Sequence, residues 1–301
     1  MKVIITGISG FVGQNLSDCL IRKNIEVVGL SLRIPGWEDR FSQHADAVIH
    51  LAGKAHDTAS TAVEEEYYKV NTDLTRILFE AFLNSDVRDF FYFSSVKAAA
   101  DEVEGVLNED HPPHPATPYG KSKLLAEQYL LSKQLPEGKR LFIIRPCMIH
   151  GPGNKGNLNL LYKTVKKGIP WPLAAFGNMR SYLSIDNLNF LIHQMLTTNL
   201  PSGIYNFADD ETLSTNEVVR LMAHAAGKRA VFWNLPQGFV RSLGRIGDTL
   251  NLPFNSERLL KLTETYTVSN EKIKKALGII QLPVSASEGL EKTFKNFNNT
   301  L

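Results

Sequence analysis

The chain has 301 residues, with 33 lysines and arginines against 31 aspartates and glutamates, a formal charge of +2. That balance excludes a strongly basic nucleic-acid binder and an acidic solvating tail, and a content of 43% hydrophobic and 21% charged residues excludes disorder. The length lies near the limit of a single core and predicts one large domain with a smaller partner.

In chain order, strands are predicted at Lys2–Thr6, 26–31, 47–52, 89–94 and 141–145, and helices at 11–23, 64–84 and 118–133. Alternation of that kind predicts an α/β fold, a doubly wound parallel sheet buried under helices on both faces. Val12, Leu16, Cys19 and Leu20 recur at helical spacing, which gives the first helix one apolar face. Glu64, Glu65 and Glu66 read as a solvated first turn favoured by the helix dipole. Beyond Arg145 the rhythm changes. Gly151, Pro152, Gly153, Gly156, Pro170 and Pro172 predict a loop-rich segment with substrate-binding excursions. The apolar stretch 182–196 and the strand Gly203–Phe207 are expected to return to the main sheet, with a helix at 216–227 and amphipathic pieces at 256–262 and 285–297. No repeat or long linker separates the parts, so two interleaved domains are expected: 1–151 with 180–208, and 152–179 with 209–301.

The apolar run Val3 to Ile5 is too short for a signal peptide or a membrane span. Two cysteines, Cys19 and Cys147, supply neither a disulfide framework nor zinc spacing, and Cys147 reads as a small buried side chain. The expectation is a cytoplasmic protein with no metal site, no nucleic-acid partner and no membrane partner. The segment from His111 to Pro115 reads as an extended loop rather than a metal site.

After the first strand come Gly7, Ser9, Gly10, Phe11, Val12 and Gly13, with glycines three apart. A diphosphate at a helix N-terminus needs a tight turn, a bare backbone and a helix packed closely on its strand, and a glycine serves each need. The pattern closes a strand and opens an amphipathic helix, the context that a dinucleotide site requires. The second strand ends Leu30, Ser31, Leu32, Arg33, with no carboxylate for ribose hydroxyls; Arg33 suits the extra phosphate and favours NADP(H) over NAD.

Tyr119 and Lys123 stand four apart on a helix with Thr117 as N-cap and Pro118 as its first residue, so their side chains share a face. A nearby ammonium favours the phenolate, which makes Tyr119 a usable acid/base. Ser94 and Ser95 close the fourth strand, at the edge where ligands of such sheets collect. His50 and His56 read as satisfied polar residues or pocket neighbours rather than catalysts.

With these residues the chain resembles the extended short-chain dehydrogenase/reductases, in particular the nucleotide-sugar epimerase/dehydratase family. The resemblance runs through Thr6 to Gly13, the strand end His50, Leu51, Ala52, Gly53, then Asn71, Ser94, Ser95, Tyr119, Lys123, Arg145, Pro146 and Gly151 to Gly153. It implies a Rossmann domain, a smaller C-terminal nucleotide-sugar domain and a homodimer. It also implies roles. Tyr119 is the acid/base, Lys123 holds the nicotinamide ribose and tunes Tyr119, Ser95 holds the sugar oxygen, and Asn71 supports the structure or the cofactor. The glycine turn, Arg33, Leu51, Ala52, Gly53, Ser94 and Pro146 complete the NAD(P) site. Asn157, Arg180 and Arg258 fall where relatives hold the nucleotide, and a UDP-linked sugar is the implied substrate.

Dehydratases of this family carry an Asp-Glu pair just after the hydroxyl residue. Here Val96 and Lys97 follow Ser95, so dehydration is not expected. The run Ser94 to Lys97, with Lys155, Gly156 and Asn157, is similar to a bacterial branch of 4-epimerases and 4-ketoreductases. An epimerase must retain its cofactor and a reductase must exchange it, and the acid-free strand end tilts the reading toward reductase. The alternative is a non-catalytic dinucleotide sensor of the same fold, in which relatives have lost the tyrosine or lysine. Three departures stand out. About twenty residues separate the second strand from His50, where relatives fit a further strand and an adenine-contacting aspartate that Asp39 or Asp46 would replace. His150 stands for a tyrosine, and Ala98, Ala99 and Ala100 for bulkier residues, which implies an unusual substrate pocket.

Overall fold

Short β-branched and aromatic runs, each followed by a helix that crosses back over one face, can pair only in parallel. In the computed structural model, which describes residues 1–41, 44–54, 63–154, 156–250, 252 and 254–300, this produces a six-stranded sheet. Its first half runs β1 (Lys2–Thr6), α1 (Phe11–Arg22), β2 (Glu26–Leu30), β3 (Ala47–His50), α2 (Glu64–Tyr67), a π-helical segment Tyr68–Asp73, α3 (Leu74–Leu83), β4 (Asp89–Phe93), the short β5 (Val106–Leu107), α4 (Pro118–Leu131) and β6 (Arg140–Pro146). The second half holds β7 (Met148–His150), α5 (Asn157–Lys166), β8 (Met179–Ser184), α6 (Ile185–Thr197), β9 (Gly203–Phe207), β10 (Thr212–Ser214), α7 (Thr215–Ala225), α8 (Gln237–Thr249), α9 (Ser256–Thr263), β11 (Thr267–Val268), α10 (Glu271–Leu277) and α11 (Ala286–Thr300).

The strand order is β2-β1-β3-β4-β6-β9, every pair parallel. Residues alternate between the faces: Val3, Ile5, Ile49, Phe91 and Phe142 pack with α1 and α6, while Ile4, Val48, Phe90, Tyr92 and Ile143 pack with α3 and α4. A further core joins Leu158, Tyr162, Trp171, Val219, Met222, Leu290 and Phe294 in the second half. Tyr266 to Leu282 packs with the sheet core instead, a difference from the expected partition, which placed all of 209–301 in the other domain.

Two expectations need refinement, and one helix was not foreseen. The segment 151–172 is not all loop, because Leu158, Tyr162 and Val165 bury one face of α5. The stretch 182–196 does not return whole to the main sheet: β8 pairs with β7 and β10 in a separate three-stranded sheet, and the helical remainder, α6, packs on α1. Helix α8 escaped the sequence reading because glycines interrupt its pattern, and those glycines serve packing: a Cβ on Gly247 would lie 1.8 Å from the Phe254 carbonyl oxygen.

At the sheet edge, β2 is the outer strand, and between it and β3 the described residues hold only a 3₁₀ turn at Trp37–Arg40. Leu32, Trp37, Phe41 and Ala45 fold back onto the core there. Neither proposed aspartate is placed to replace the lost contact. Asp46 precedes β3 and accepts a hydrogen bond from the Lys2 backbone N–H at 2.6 Å, at the sheet edge opposite the strand carboxyl ends, and Asp39 sits exposed on the turn.

Candidate active site

The parallel register brings Thr6, His50, Phe93 and Pro146 to one edge of the sheet. The glycine turn is tight because three backbones converge in it. Gly7 has φ +70°, and a Cβ there would lie 2.7 Å from the Ala52 nitrogen; a Cβ on Gly13 would lie 2.4 Å from the Gly7 oxygen. Ser9 and Gly10 are exposed, and Phe11 and Val12 half-buried. The N-terminus of α1 carries no side-chain cap and no acidic residue in its first turn, so its donors and dipole fit a diphosphate. Arg33 stands exposed just past β2, the neighbour of β1.

Leu51, Ala52 and Gly53 leave β3 beside that turn, held by Asn71. Its Oδ1 accepts from the Lys54 N–H at 2.8 Å, and its Nδ2 donates to the Lys54 carbonyl at 3.1 Å and to Ser122 Oγ at 3.0 Å. Gly53 is closely packed: a Cβ there would lie 3.0 Å from Asn71 Oδ1 and 3.2 Å from Lys123 Nζ, so either side chain would have to give by a few tenths of an ångström. His50 is a satisfied core residue. Its Nδ1 lies 2.7 Å from Thr6 Oγ1 and its Nε2 2.9 Å from Thr75 Oγ1, and burial, with the Lys123 charge second, lowers its pKa to about 3. His56 and Lys155 lie outside the described residues.

Helix α4 begins as expected: Thr117 Oγ1 accepts from the Gly120 N–H at 3.2 Å, and Pro118 follows. Tyr119, Lys123 and Glu127 then share one face at i, i+4 and i+8. Lys123 is buried and donates to the Phe93 carbonyl at 2.8 Å; burial lowers its ammonium to about 8, while Glu127 acts to raise it. Glu127 is buried against Arg145 (Nη2 to Oε2, 2.5 Å) and accepts from Ser94 Oγ. Ser94 is therefore bound to this ion pair. Ser95 Oγ accepts from the Lys97 N–H at 3.2 Å, and Ser95 and Tyr119 line the same cavity. The expected acidification of Tyr119 by Lys123 is not what the chain's own groups produce. Burial pushes the phenol above its ordinary value, and the neighbouring Ser95 hydroxyl offsets part of that.

Tyr119, Ser95 and Pro146 open onto a cavity of about 670 Å³, whose far wall is formed by Asn157, Arg180, Tyr266 and the α9 residues Glu257, Leu260 and Lys261. Arg180 is paired with Glu264, and Lys97 lies 4.2 Å from the Tyr266 ring centre. Arg258 is exposed and is not among the residues lining the cavity, whereas Glu257, Leu260 and Lys261 of the same helix are. His150 does not line it either. It is fully buried, with Nδ1 2.9 Å from Thr293 Oγ1 and Asp209 3.6 Å from Nε2. Ala98, Ala99 and Ala100 are fully buried; the Tyr266 hydroxyl donates to the Ala100 carbonyl at 2.7 Å in the space beside them.

Sequence reasoning missed Glu127, although a carboxylate one turn beyond Lys123 on the same face signalled it. It also missed Glu264 and Tyr266, which no local pattern marks and which long-range folding brings to Arg180 and Lys97.

Residues 3–208 match the NAD dependent epimerase/dehydratase family. The chain is 29% identical to a UDP-glucose 4-epimerase of Vibrio cholerae over 98% of this chain and 95% of that protein. It is 27% identical to an N-acetyl-α-D-glucosaminyl-diphospho-ditrans,octacis-undecaprenol 4-epimerase of Escherichia coli O157:H7, over 98% and 94%. The structure of RMD from Pseudomonas aeruginosa complexed with NADPH is similar in fold, with a TM-score of 0.78 and 21% identity over 99% of each chain.

Proposed function

Because the chain belongs to the NAD-dependent epimerase/dehydratase family, whose cofactor is a nicotinamide dinucleotide, we propose that it is a nucleotide-sugar oxidoreductase acting at C4 of a UDP-hexose derivative, as a 4-epimerase or a 4-ketoreductase. The observation that carries the reading is the Tyr119 phenol, which shares the wall of the 670 Å³ cavity with Ser95 and has Lys123 one turn behind it.

The dinucleotide, when bound, supplies hydride acceptance and donation and a positive ring that favours the phenolate. Its diphosphate would rest on Gly7, Ser9, Gly10, Phe11, Val12 and Gly13. Leu51, Ala52, Gly53 and Pro146 would border it, Ser94 and Asn71 would support that border, and Lys123 would hold the ribose. Arg33 would receive the 2′-phosphate of NADP(H). At the sugar, Tyr119 moves the C4 hydroxyl proton and Ser95 donates to the same oxygen; the Lys97 N–H already occupies one acceptor position on Ser95 Oγ and so orients its proton outward. Below a pH of about 8 Lys123 carries the charge with which it would hold the ribose. Asn157 and Arg180 would hold the nucleotide. Val96, buried after Ser95, has no group to eliminate water, which supports the two non-dehydrating reactions.

Substitution tests the acid/base. Tyr119→Phe should lower kcat about 10²- to 10⁴-fold with KM nearly constant; turnover equal to the parent on every candidate sugar would remove Tyr119 from the mechanism. Identification by mass of the dinucleotide released from purified protein separates the reactions. Tightly retained NAD supports the epimerase, and an empty protein that saturably binds NADPH supports the reductase. The proposal also keeps the interleaved two-domain division and a homodimer. Ile77 and Leu125, exposed on α3 and α4, support the dimer, which equilibrium sedimentation tests.

A further inference from the structure

Among the described residues, 21 large hydrophobic side chains are exposed, and nine of them fall between Val231 and Leu260, a tenth of the chain. Chance scatter over a surface does not concentrate them so. Helix α8 accounts for the core of the patch. It turns Val240, Gly244 and Gly247 toward the protein, and the missing side chain of Gly247 lets it lie against the Phe254 carbonyl. Its apolar residues at the next spacing, Phe239, Leu243, Ile246 and then Leu250, are 55%, 40%, 52% and 62% exposed. Trp233, just before α8, is 52% exposed, and Leu260 on α9 is 49% exposed while also lining the cavity.

Positive charge is concentrated in the same stretch of the chain. From 228 to 261 the chain carries six basic residues (Lys228, Arg229, Arg241, Arg245, Arg258 and Lys261) against Asp248 and Glu257. The surplus of four exceeds the net charge of the whole chain, so the remainder, with 27 basic and 29 acidic residues, is slightly negative. An amphipathic helix with exposed bulky apolar residues along one side, an adjacent tryptophan, and Arg241 and Arg245 on its polar side has the chemistry of a segment lying in the plane of an anionic lipid surface. A second copy of this chain would bring the same surplus of positive charge against itself. No helix among the described residues is long and apolar enough to cross a membrane, so this contact would be peripheral.

We propose that the face built by α8 and its flanks seats the protein on an anionic phospholipid surface, with the mouth of the substrate cavity beside the bilayer through α9. This replaces the expectation of no membrane partner. It does not depend on which sugar is turned over. The whole chain is sedimented with vesicles of phosphatidylcholine, with and without phosphatidylglycerol. The parent should bind the anionic vesicles at least about tenfold more tightly, and less so as salt is raised. Phe239→Ser with Ile246→Ser should abolish most of that binding, and Arg241→Glu with Arg245→Glu should abolish the preference for anionic lipid. Both pairs are exposed, so the thermal melt should stay unchanged; if the apolar pair unfolds, the charge pair alone decides. Failure of the parent to bind either vesicle would overturn the proposal, as would variants that bind like the parent. Variants that change the elution volume in gel filtration and leave vesicle binding intact would assign the face to a second copy instead.

Discussion

On the sheet side of the cavity, Ser94, Lys123, Glu127 and Arg145 are each less than a tenth exposed and bonded to one another or to strand backbone. On the helical side, Glu257 and Lys261 pair with their side chains 66% and 48% exposed, and Leu260 faces both cavity and solvent. The difference separates two tasks. A group that moves a proton must hold its geometry, which burial and a closed hydrogen-bond network enforce, whereas a wall that grips a varied substrate or surface can remain solvated and adjustable. The same division explains where sequence variation is tolerable: the sheet side fails by stranding a buried charge, the helical side only by losing affinity.

Breaking the sheet side should cost most. Glu127→Gln leaves the Arg145 guanidinium buried beside a neutral amide and should lower unfolding stability by about 3–5 kcal/mol in urea titrations; Glu127→Gln with Arg145→Met should recover much of that loss. A parent-like midpoint for the single variant would show the wall to be less rigid than the contrast requires. His50 sharpens the point through pH. With its folded pKa near 3, below the ordinary 6.5, the unfolded chain takes up a proton between those values that the folded chain does not. Stability should therefore fall as pH drops through that window, and His50→Gln should flatten the slope by up to about 1.4 kcal/mol per pH unit. On the helical side the effects shrink. Arg180→Gln should raise KM about tenfold with little change in kcat or melting temperature, read from steady-state kinetics on an active substrate. Arg258→Ala, at an exposed residue not lining the cavity, should leave KM within about twofold of the parent in the same assay.

How much of this was legible in the chain follows from how local each feature is. The strands Lys2–Thr6 and Gly203–Phe207, the N-cap Thr117, the glycine turn and the Tyr119 and Lys123 spacing are each written in a few consecutive residues, and the structure has them at those positions. The lost strand after β2 was visible as a short interval, but the burial of Trp37 and Phe41 that replaces it was not. Helix α8 was hidden because glycines that look like breaks are there for backbone contact with Phe254.

The sequence by itself determined the fold class and the helix that carries Tyr119 and Lys123, because hydrophobic period and turn chemistry act over distances of one helical turn or one strand. Only the tertiary structure decided that Ser94 is bound to Glu127, that Glu264 pairs with Arg180, and that burial raises the Tyr119 phenol. Each of those depends on which distant groups share a low-dielectric neighbourhood, and desolvation is a property of the packed volume around a residue rather than of its neighbours in the chain.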